Sequence, residues 1–140
     1  MTRYLHTMVR ITDPEKSSAF YEALGLEFRR DMDIVRNGER EATNYFFGVP
    51  GQEEELELTL NHDGRTYDLG TGYGHVAFAV DDMAGTLAAL AVHGIEPERE
   101  PYRLREGVGL SLARERVAAY SYLSPEPVPN VRPAPTMWLE

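Results

Sequence analysis

Four side chains in this sequence have the chemistry of metal ligands, and they occupy corresponding points of a pattern that occurs twice. His6 and His75 lie in the first strands predicted for the two copies, and Glu57 and Glu140 lie in the last strands. Imidazole nitrogens and carboxylate oxygens together suit Ni²⁺, Zn²⁺, Co²⁺, Fe²⁺ or Mn²⁺. Such an ion keeps positions open for a substrate that chelates it through two oxygens. We therefore predict a divalent metal site formed by these four residues.

Each of these residues, taken singly, also has an ordinary structural interpretation. A His early in a strand is more often a hydrogen-bonded structural residue than a ligand. A Glu in the alternating segment EELELTL usually faces water, as we expect of Glu53, Glu54 and Glu55. A single motif of this kind is weak, and the symmetric placement of all four residues is what favours a metal site.

The repeated pattern is a strand, an acidic helix cap, a helix, a Gly and a second strand. In the first copy, these are a strand at 4–12, a helix from Asp13-Pro14 to about Gly25 and a strand at 27–33. In the second copy, they are a strand at 74–80, a helix capped by Asp81-Asp82 and a short strand at 95–99. A period of about seventy residues indicates two homologous halves rather than a solenoid.

Further strands complete each half. The first half ends with strands at 42–49 and 55–61, separated by a turn at Pro50-Gly51. The second half continues with a strand at 117–124, a Pro-rich connection and a short terminal strand at 136–140. Alternation in the terminal strand places Trp138 and Glu140 on one face.

Composition excludes several classes of protein. The chain has 140 residues, enough for one domain or two small modules, with 42% hydrophobic and 26% charged residues. Because it has no Cys, it can form neither a disulfide nor a thiolate metal site. A net charge of −9 argues against nucleic acid as a partner. The sequence shows no membrane span and no signal-peptide core, so we expect a cytoplasmic protein without a membrane partner.

Two stretches resemble the signature of glyoxalase I, a family of the vicinal oxygen chelate superfamily. LHTMVRITD, residues 5–13, resembles the family's N-terminal strand, in which a His binds metal and an Arg four residues later meets a thiol cofactor. ELELTLNHDGRTYDLGTGYGHVAFAVDD, residues 55–82, resembles its central motif, with Glu57 and His75 at the ligand positions. The resemblance covers residues 4 to about 105 and is to the short bacterial type.

This resemblance implies an α+β fold of paired βαβββ modules. Residues 1–140 would form one glyoxalase-type domain, with module one at about 1–66 and module two at about 67–140. It also implies a homodimer with sites at the interface, where His6 and Glu57 meet the partner's His75 and Glu140.

The implied activity is that of a lactoylglutathione lyase. The hemithioacetal of methylglyoxal and a thiol such as glutathione would be converted through an enediolate to an S-D-lactoyl thioester. A divalent metal, with Ni²⁺ or Co²⁺ favoured and Zn²⁺ the alternative, would act as a Lewis acid on the substrate oxygens. Glu140 would move the proton, and Glu57 would have a pseudo-symmetric role.

The resemblance also implies substrate-binding residues. Arg10 and Asn61 would hold the carboxylate and amide ends of the thiol, since Arg offers a planar fork to carboxylates. A loop arginine, Arg105 or else Arg103, would add a basic contact. The alternatives are a surface ion pair for Arg10 and a turn-forming role for Asn61, and His62 and His93 are expected to be ordinary loop and helix-end residues.

The C-terminal region departs from the family pattern, which has an Asp-Pro-Asp-Gly turn before a last strand ending in Tyr-Trp-Ile-Glu. With gaps near 103–116 and 125–135, residues 117–124 resemble the penultimate strand, and Met137 to Glu140 resemble the last one. Glu126 is the alternative carboxylate, and a metal held by three protein ligands stays open.

Two other functions remain open. One is another enzyme of the same superfamily, such as an epimerase, dioxygenase or thiol transferase. The other is a metal-free protein of the same fold that binds a small molecule.

Overall fold

The chain forms two compact units, Met1–Asp68 and Leu69–Glu140. The computed structural model describes residues 1–68, 70–97, 101–104, 107–112, 117–121 and 132–133, and it describes side chains only as far as Pro101. Each unit begins with a strand and a helix and continues with further strands, so the α+β class is confirmed.

The first unit is a βαβββ module built on a four-stranded sheet. Its elements are β1 (His6–Ile11), α1 (Pro14–Ala23), β2 (Glu27–Arg36), β3 (Glu39–Gly48) and β4 (Glu55–Asn61). The strand order is β1-β4-β3-β2, with β1 parallel to β4 and the other pairs antiparallel. The first and last strands of the module are therefore neighbours.

Helix α1 begins where the sequence predicts it. The Asp13 side chain accepts a hydrogen bond from the Lys16 backbone N–H at 3.0 Å, and Pro14 fills the first turn. The hydrogen bond from Lys16 lowers the pKa of the Asp13 carboxyl. The helix ends at Ala23 with Leu24 as its C-cap, and Gly25 follows in the left-handed region with φ 97°. Both ends thus follow the chemistry of the local sequence.

The hydrophobic core of the first unit lies between α1 and one face of its sheet. Tyr21 and Phe47 are fully buried, with ring centroids 6.4 Å apart, and Leu58 is also fully buried. Side chains alternate across a strand, so this face takes alternate residues of β4 and leaves Glu55, Glu57, Thr59 and Asn61 on the other.

The sequence predicted strands at 27–33 and 42–49. In the structure, β2 and β3 both extend further into the turn that joins them. They meet at a two-residue turn, Asn37-Gly38, in which both residues have positive φ, 52° and 82°. This geometry suits the right-handed twist of a hairpin, and an Asn-Gly pair adopts it at little cost. The sequence did not predict the last three residues of β2, because most residues of this strand are exposed and give no apolar alternation.

The connection from β3 to β4 is held by one arginine. The Arg29 guanidinium donates to the carbonyl oxygens of Val49 at 3.1 Å, Gln52 at 2.5 Å and Glu53 at 3.2 Å. Gly48 lets it pass, because a Cβ at that position would overlap the guanidinium. These hydrogen bonds hold the connection in one conformation directly before β4, the strand that pairs with β1.

The second unit repeats this topology. Its elements are β5 (Val76–Ala79), α2 (Met83–Val92), β6 (Tyr102–Leu104), β7 (Gly107–Leu112), β8 (Val117–Ser121) and β9 (Arg132–Pro133). The strand order is β5-β8-β7-β6-β9, with β5 parallel to β8. Asp82 caps α2 by accepting from the Gly85 N–H at 2.9 Å, and Gly94 follows the helix with φ 66°. Neither helix is long and apolar enough to cross a membrane.

Two predictions for the second unit are wrong. Residues 95–97 are not in a strand, and 98–99 lie outside the described residues. The strand predicted at 117–124 exists at 117–121, but it is the partner of β5 rather than the penultimate strand. The reason is that 102–104 and 107–112, which lie in a region predicted to contain extra residues, form β6 and β7, the two strands that precede β8.

Candidate metal centre and substrate-binding residues

One face of the first sheet collects most of the predicted site residues. We call it the polar face, and it is the face opposite Phe47 and Leu58. In register, its members on the two parallel strands are His6, Met8 and Arg10 of β1 and Glu55, Glu57, Thr59 and Asn61 of β4. The alternation of the two strands explains this placement, because residues two apart share a face.

His6 and Glu57 meet on the polar face. His6 Nε2 lies 3.3 Å from Glu57 Oε2, with the His6 side chain 44% exposed and that of Glu57 12% exposed. The Thr59 hydroxyl lies 3.2 Å from Glu57 Oε1 and 3.1 Å from Asn44 Oδ1, so its single hydrogen serves one of these oxygens. The carboxylate is thus supported from the sheet on one side and faces the imidazole on the other.

This pair has the spacing of two ligands on one ion. With bonds of about 2.1 Å to nitrogen and oxygen, two ligands at a right angle lie about 3 Å apart. The observed 3.3 Å is close to that separation. In the described part of the chain, no three His, Asp or Glu side chains form a group that would hold a metal. His6 and Glu57 therefore fit a divalent ion as two of its ligands.

A second carboxylate on the polar face, that of Glu55, is bound by Arg30. Arg30 Nη2 donates to Glu55 Oε2 at 2.9 Å, and Arg30 Nη1 contacts Glu55 Oε1. These hydrogen bonds lower the pKa of the Glu55 carboxyl. Glu55 therefore has an arginine partner, whereas Glu57 faces His6.

Arg10 and Asn61 are brought together through Tyr67. The Arg10 guanidinium carbon lies 5.8 Å from the centroid of the Tyr67 ring. Asn61 Nδ2 donates to the Tyr67 hydroxyl at 2.6 Å. The three side chains form one cluster at the end of the polar face, which we call the Arg10 cluster. A guanidinium and an amide so placed suit a ligand that carries both a carboxylate and an amide group.

The remaining predicted ligands are placed differently. His75 is exposed and immediately precedes β5 in the second unit. Glu140, Glu126 and Arg105 lie outside the described residues, and Arg103 belongs to β6. Their predicted roles stay predictions.

The strand register of the second unit identifies the position equivalent to Glu57. In the first unit, Glu57 is opposite Met8, two residues after His6. In the second unit, the residue two after His75 is Ala77, and it is opposite Ala118. An alanine cannot bind a metal, so β8 supplies no ligand at this position.

The other histidines of the described residues are structural. His62 Nε2 lies 2.8 Å from the Thr43 hydroxyl, which donates to Asp33 at 2.6 Å. His93 is the C-terminal cap of α2, as its position in the sequence predicted. A surface cavity of about 370 Å³ near His62 is lined by charged residues, but its arginines have carboxylate partners, for example Arg36 with Glu41 at 3.0 Å.

Sequence reasoning did not identify Arg30, Thr59 or Tyr67 as members of the site. Thr59 and Tyr67 stand within the central motif that resembles glyoxalase I, at positions given no role. Arg30 carried no signal, because it reaches Glu55 of β4 from β2, two places away in the sheet order.

A model of one protein family matches most of the chain. The family is described as the Glyoxalase/Bleomycin resistance protein/Dioxygenase superfamily, and the match covers residues 3–114. It ends before β8, in the region where the sequence departs from the glyoxalase I pattern.

Curated relatives point to one activity within this superfamily. A probable lactoylglutathione lyase of Vibrio parahaemolyticus is 39% identical over 108 residues, covering 75% of this chain and 76% of that protein. The lactoylglutathione lyase of Haemophilus influenzae is 37% identical over 106 residues, covering 74% and 76%. A longer relative, a probable chloroplastic lactoylglutathione lyase of Arabidopsis thaliana, is 36% identical, but the match spans only 30% of its length.

Solved structures agree with the sequence relatives. The trypanothione-dependent glyoxalase I of Leishmania major matches with a TM-score of 0.68 and 28% identity, covering 88% of this chain and 87% of that one. Glyoxalase I of Zea mays matches with a TM-score of 0.72 and 26% identity, covering 87% of this chain and 45% of that one. The chain therefore belongs to the Glyoxalase/Bleomycin resistance protein/Dioxygenase superfamily and, within it, to the bacterial-type glyoxalase I group of lactoylglutathione lyases.

Proposed function

We propose that this chain is a metal-dependent glyoxalase I that converts the hemithioacetal of methylglyoxal and a thiol to an S-D-lactoyl thioester. The observation that carries the proposal is the contact of His6 with Glu57 on the polar face, 3.3 Å apart and with the imidazole accessible. Bacterial relatives of similar length carry the name of this activity, which supports the choice of reaction.

His6, Glu57 and His75 would hold the ion. When bound, a divalent cation supplies Lewis-acid polarisation of two substrate oxygens and stabilises the negative charge that develops on them. Since Ala118 occupies the position equivalent to Glu57, a fourth protein ligand has to come from another segment. Glu140, a carboxylate that follows β8 in the chain, stays our candidate, although β8 already pairs with β5 as β4 does with β1. A homodimer that completes the site belongs to the same proposal.

The proton transfer requires a carboxylate within hydrogen-bonding distance of the substrate carbons. We propose that Glu140 removes the proton from one carbon and returns it to the next, with Glu57 in the pseudo-symmetric role. The hydroxyl of Thr59 beside Oε1 would orient the Glu57 carboxylate so that Oε2 stays directed at His6.

The Arg10 cluster would bind the thiol portion of the substrate. Arg10 offers two parallel N–H donors to a carboxylate, and Asn61 offers both a donor and an acceptor to an amide. Tyr67 fixes Asn61 by accepting its Nδ2–H and lies beneath the Arg10 guanidinium. Glutathione is the thiol that we propose first, and the trypanothione-dependent Leishmania structure makes the choice of thiol an experimental question.

Thioester formation from methylglyoxal and a thiol, followed on apo-protein reloaded with single metals, tests the proposal. We expect the apo-protein to be inactive and Ni²⁺ or Co²⁺ to restore activity better than Zn²⁺. Glutathione should be accepted, and parallel assays with other low-molecular-weight thiols establish the selectivity. Undiminished turnover by rigorously metal-free protein would refute the metal dependence, and no turnover with any metal and thiol would favour a binding protein of the same fold.

Arg10→Ala should raise KM for the hemithioacetal while changing kcat little. The Arg10 cluster lies away from the reacting carbons in this proposal, so its loss removes uniform binding. Loss of one charge-assisted contact corresponds to about a tenfold rise or more. Arg36→Ala, which removes an exposed arginine paired with Glu41, is the matched control and should leave both constants unchanged. A collapse of kcat with unchanged KM would place Arg10 in the chemistry.

Glu140→Gln tests the proposed base and fourth ligand. The amide keeps one coordinating oxygen but has almost no basicity, so part of the metal should remain bound while kcat falls by about two to four orders of magnitude. Glu126→Gln is the matched control and should be nearly silent. An active Glu140→Gln together with an inactive Glu126→Gln would identify Glu126 as the carboxylate. If both variants keep full activity, the C-terminal segment supplies no ligand.

A further inference from the structure

Two carboxylates of β4 compete for the position beside His6. Glu55 and Glu57 are two positions apart and share the polar face, and the register places Glu55 directly opposite His6 and Glu57 opposite Met8. Backbone geometry alone therefore gives Glu55 at least as good an approach to the imidazole as Glu57. Some other group must decide which carboxylate is available.

Arg30 occupies both oxygens of Glu55. Its Nη2 donates to Oε2 at 2.9 Å and its Nη1 contacts Oε1, which is a bidentate pair of the kind that fixes a carboxylate most firmly. Arg29 adds a second cation, with its Nη1 at 3.8 Å from Oε1 of the same residue. The Glu55 side chain is only 16% exposed, so it has little freedom to turn elsewhere.

Arg30 is itself held on an aromatic platform. Its guanidinium carbon lies 3.8 Å from the centroid of the Phe46 ring, a close cation–π contact. Phe46, on β3, is 4% exposed and lies opposite Glu57 of β4 and opposite Arg30 of β2. The shift of register between Phe28 and Arg30 creates this alignment. The guanidinium thus extends along the polar face from β2 over β3 to β4.

Among the described residues, no arginine forms a hydrogen bond or ion pair with Glu57, and Arg30 acts on it only by longer-range electrostatic attraction. Its Oε1 lies near the neutral Thr59 hydroxyl, and its Oε2 faces His6. Arg30 therefore binds the Glu55 carboxylate directly, whereas the Glu57 carboxylate contacts the His6 imidazole.

We propose that Arg30 is a positioning residue that keeps Glu55 out of the metal site, so that Glu57 is the carboxylate of the first unit that joins His6 on the ion. The inference rests on the proposed metal site. Without Arg30, Glu55 would become a third donor from the same face and would take a position that the chelating substrate needs. A site with two carboxylates beside His6 would bind the cation more tightly and turn over more slowly.

Co²⁺ binding to apo-protein, followed by the d–d absorption spectrum, tests this proposal in the parent protein and four variants. Arg30→Ala should bind Co²⁺ about tenfold more tightly, a change of the size that residues around a metal site produce. Its spectrum should change, and its turnover should fall. The double variant Arg30→Ala with Glu55→Gln should recover the parent affinity, spectrum and turnover, because the competing carboxylate is gone. Arg40→Ala removes an arginine whose partner, Asp33, is off the polar face, and it should match the parent.

Arg30→Lys distinguishes the proposed effect from a folding defect in Arg30→Ala. The lysine keeps a cation above Phe46 but cannot hold Glu55 bidentately, so it should shift the Co²⁺ spectrum in the direction of Arg30→Ala. The inference is overturned if Arg30→Ala and Arg30→Lys keep the parent's affinity and spectrum, or if the double variant recovers none of the change. A parent protein that binds no Co²⁺ would instead refute the metal site and, with it, this inference.

Discussion

The parallel pairing of β1 with β4 is the interaction on which the candidate site depends. It brings the N-terminal strand, which carries His6 and Arg10, beside the last strand of the module, which carries Glu57 and Asn61. A slip of one residue in this register would move every side chain of β4 to the opposite face. Glu57 would then point into the core, and a leucine would face His6. The core contacts of Leu56 and Leu58, both buried, fix the register and therefore the site.

The second unit has the same parallel pairing but different residues in register with it. β5 is parallel to β8 as β1 is to β4. β1 begins at His6, and β5 begins directly after His75. In the first unit, β4 places Glu57 opposite the residue two after His6. In the second unit, β8 places Ala118 opposite the residue two after His75. The two halves thus share their topology and their imidazoles but differ in the carboxylates that accompany them. Any contribution of Glu140 would come from a segment beyond this shared topology.

Much of the fold followed from local sequence chemistry. Asp13-Pro14 predicted the start of α1, and the strict alternation of residues 55–61 predicted β4 with its actual bounds, because one buried face imposes a period of two. The hairpin of β2 and β3 was under-predicted although Asn37-Gly38 is its recognised turn signal. The polar composition of β2 outweighed that signal. His6 and Glu57, which the repeated pattern and the family resemblance both assigned to one site, lie 3.3 Å apart, and their metal-binding role stays a prediction.

Long-range contacts could not be predicted from the sequence. Arg30 reaches Glu55 only because a bulge aligns it with Phe46 across two strands, and Tyr67 joins Arg10 to Asn61 from a connection without regular structure. The place of β8 was missed for a related reason. Strand order depends on which segments form the middle hairpin, and residues 102–112 carry no pattern that distinguishes an insertion from two strands.

Under the proposed function, His6, His75 and Glu57 hold one divalent ion. X-ray absorption at the metal edge of the Ni²⁺-loaded protein measures this most directly, since imidazole rings give a characteristic scattering and the other donors are oxygens. The account predicts two imidazoles per ion, falling to one in His6→Ala and to one in His75→Ala. Full metal occupancy with an unchanged imidazole count in either variant would contradict it.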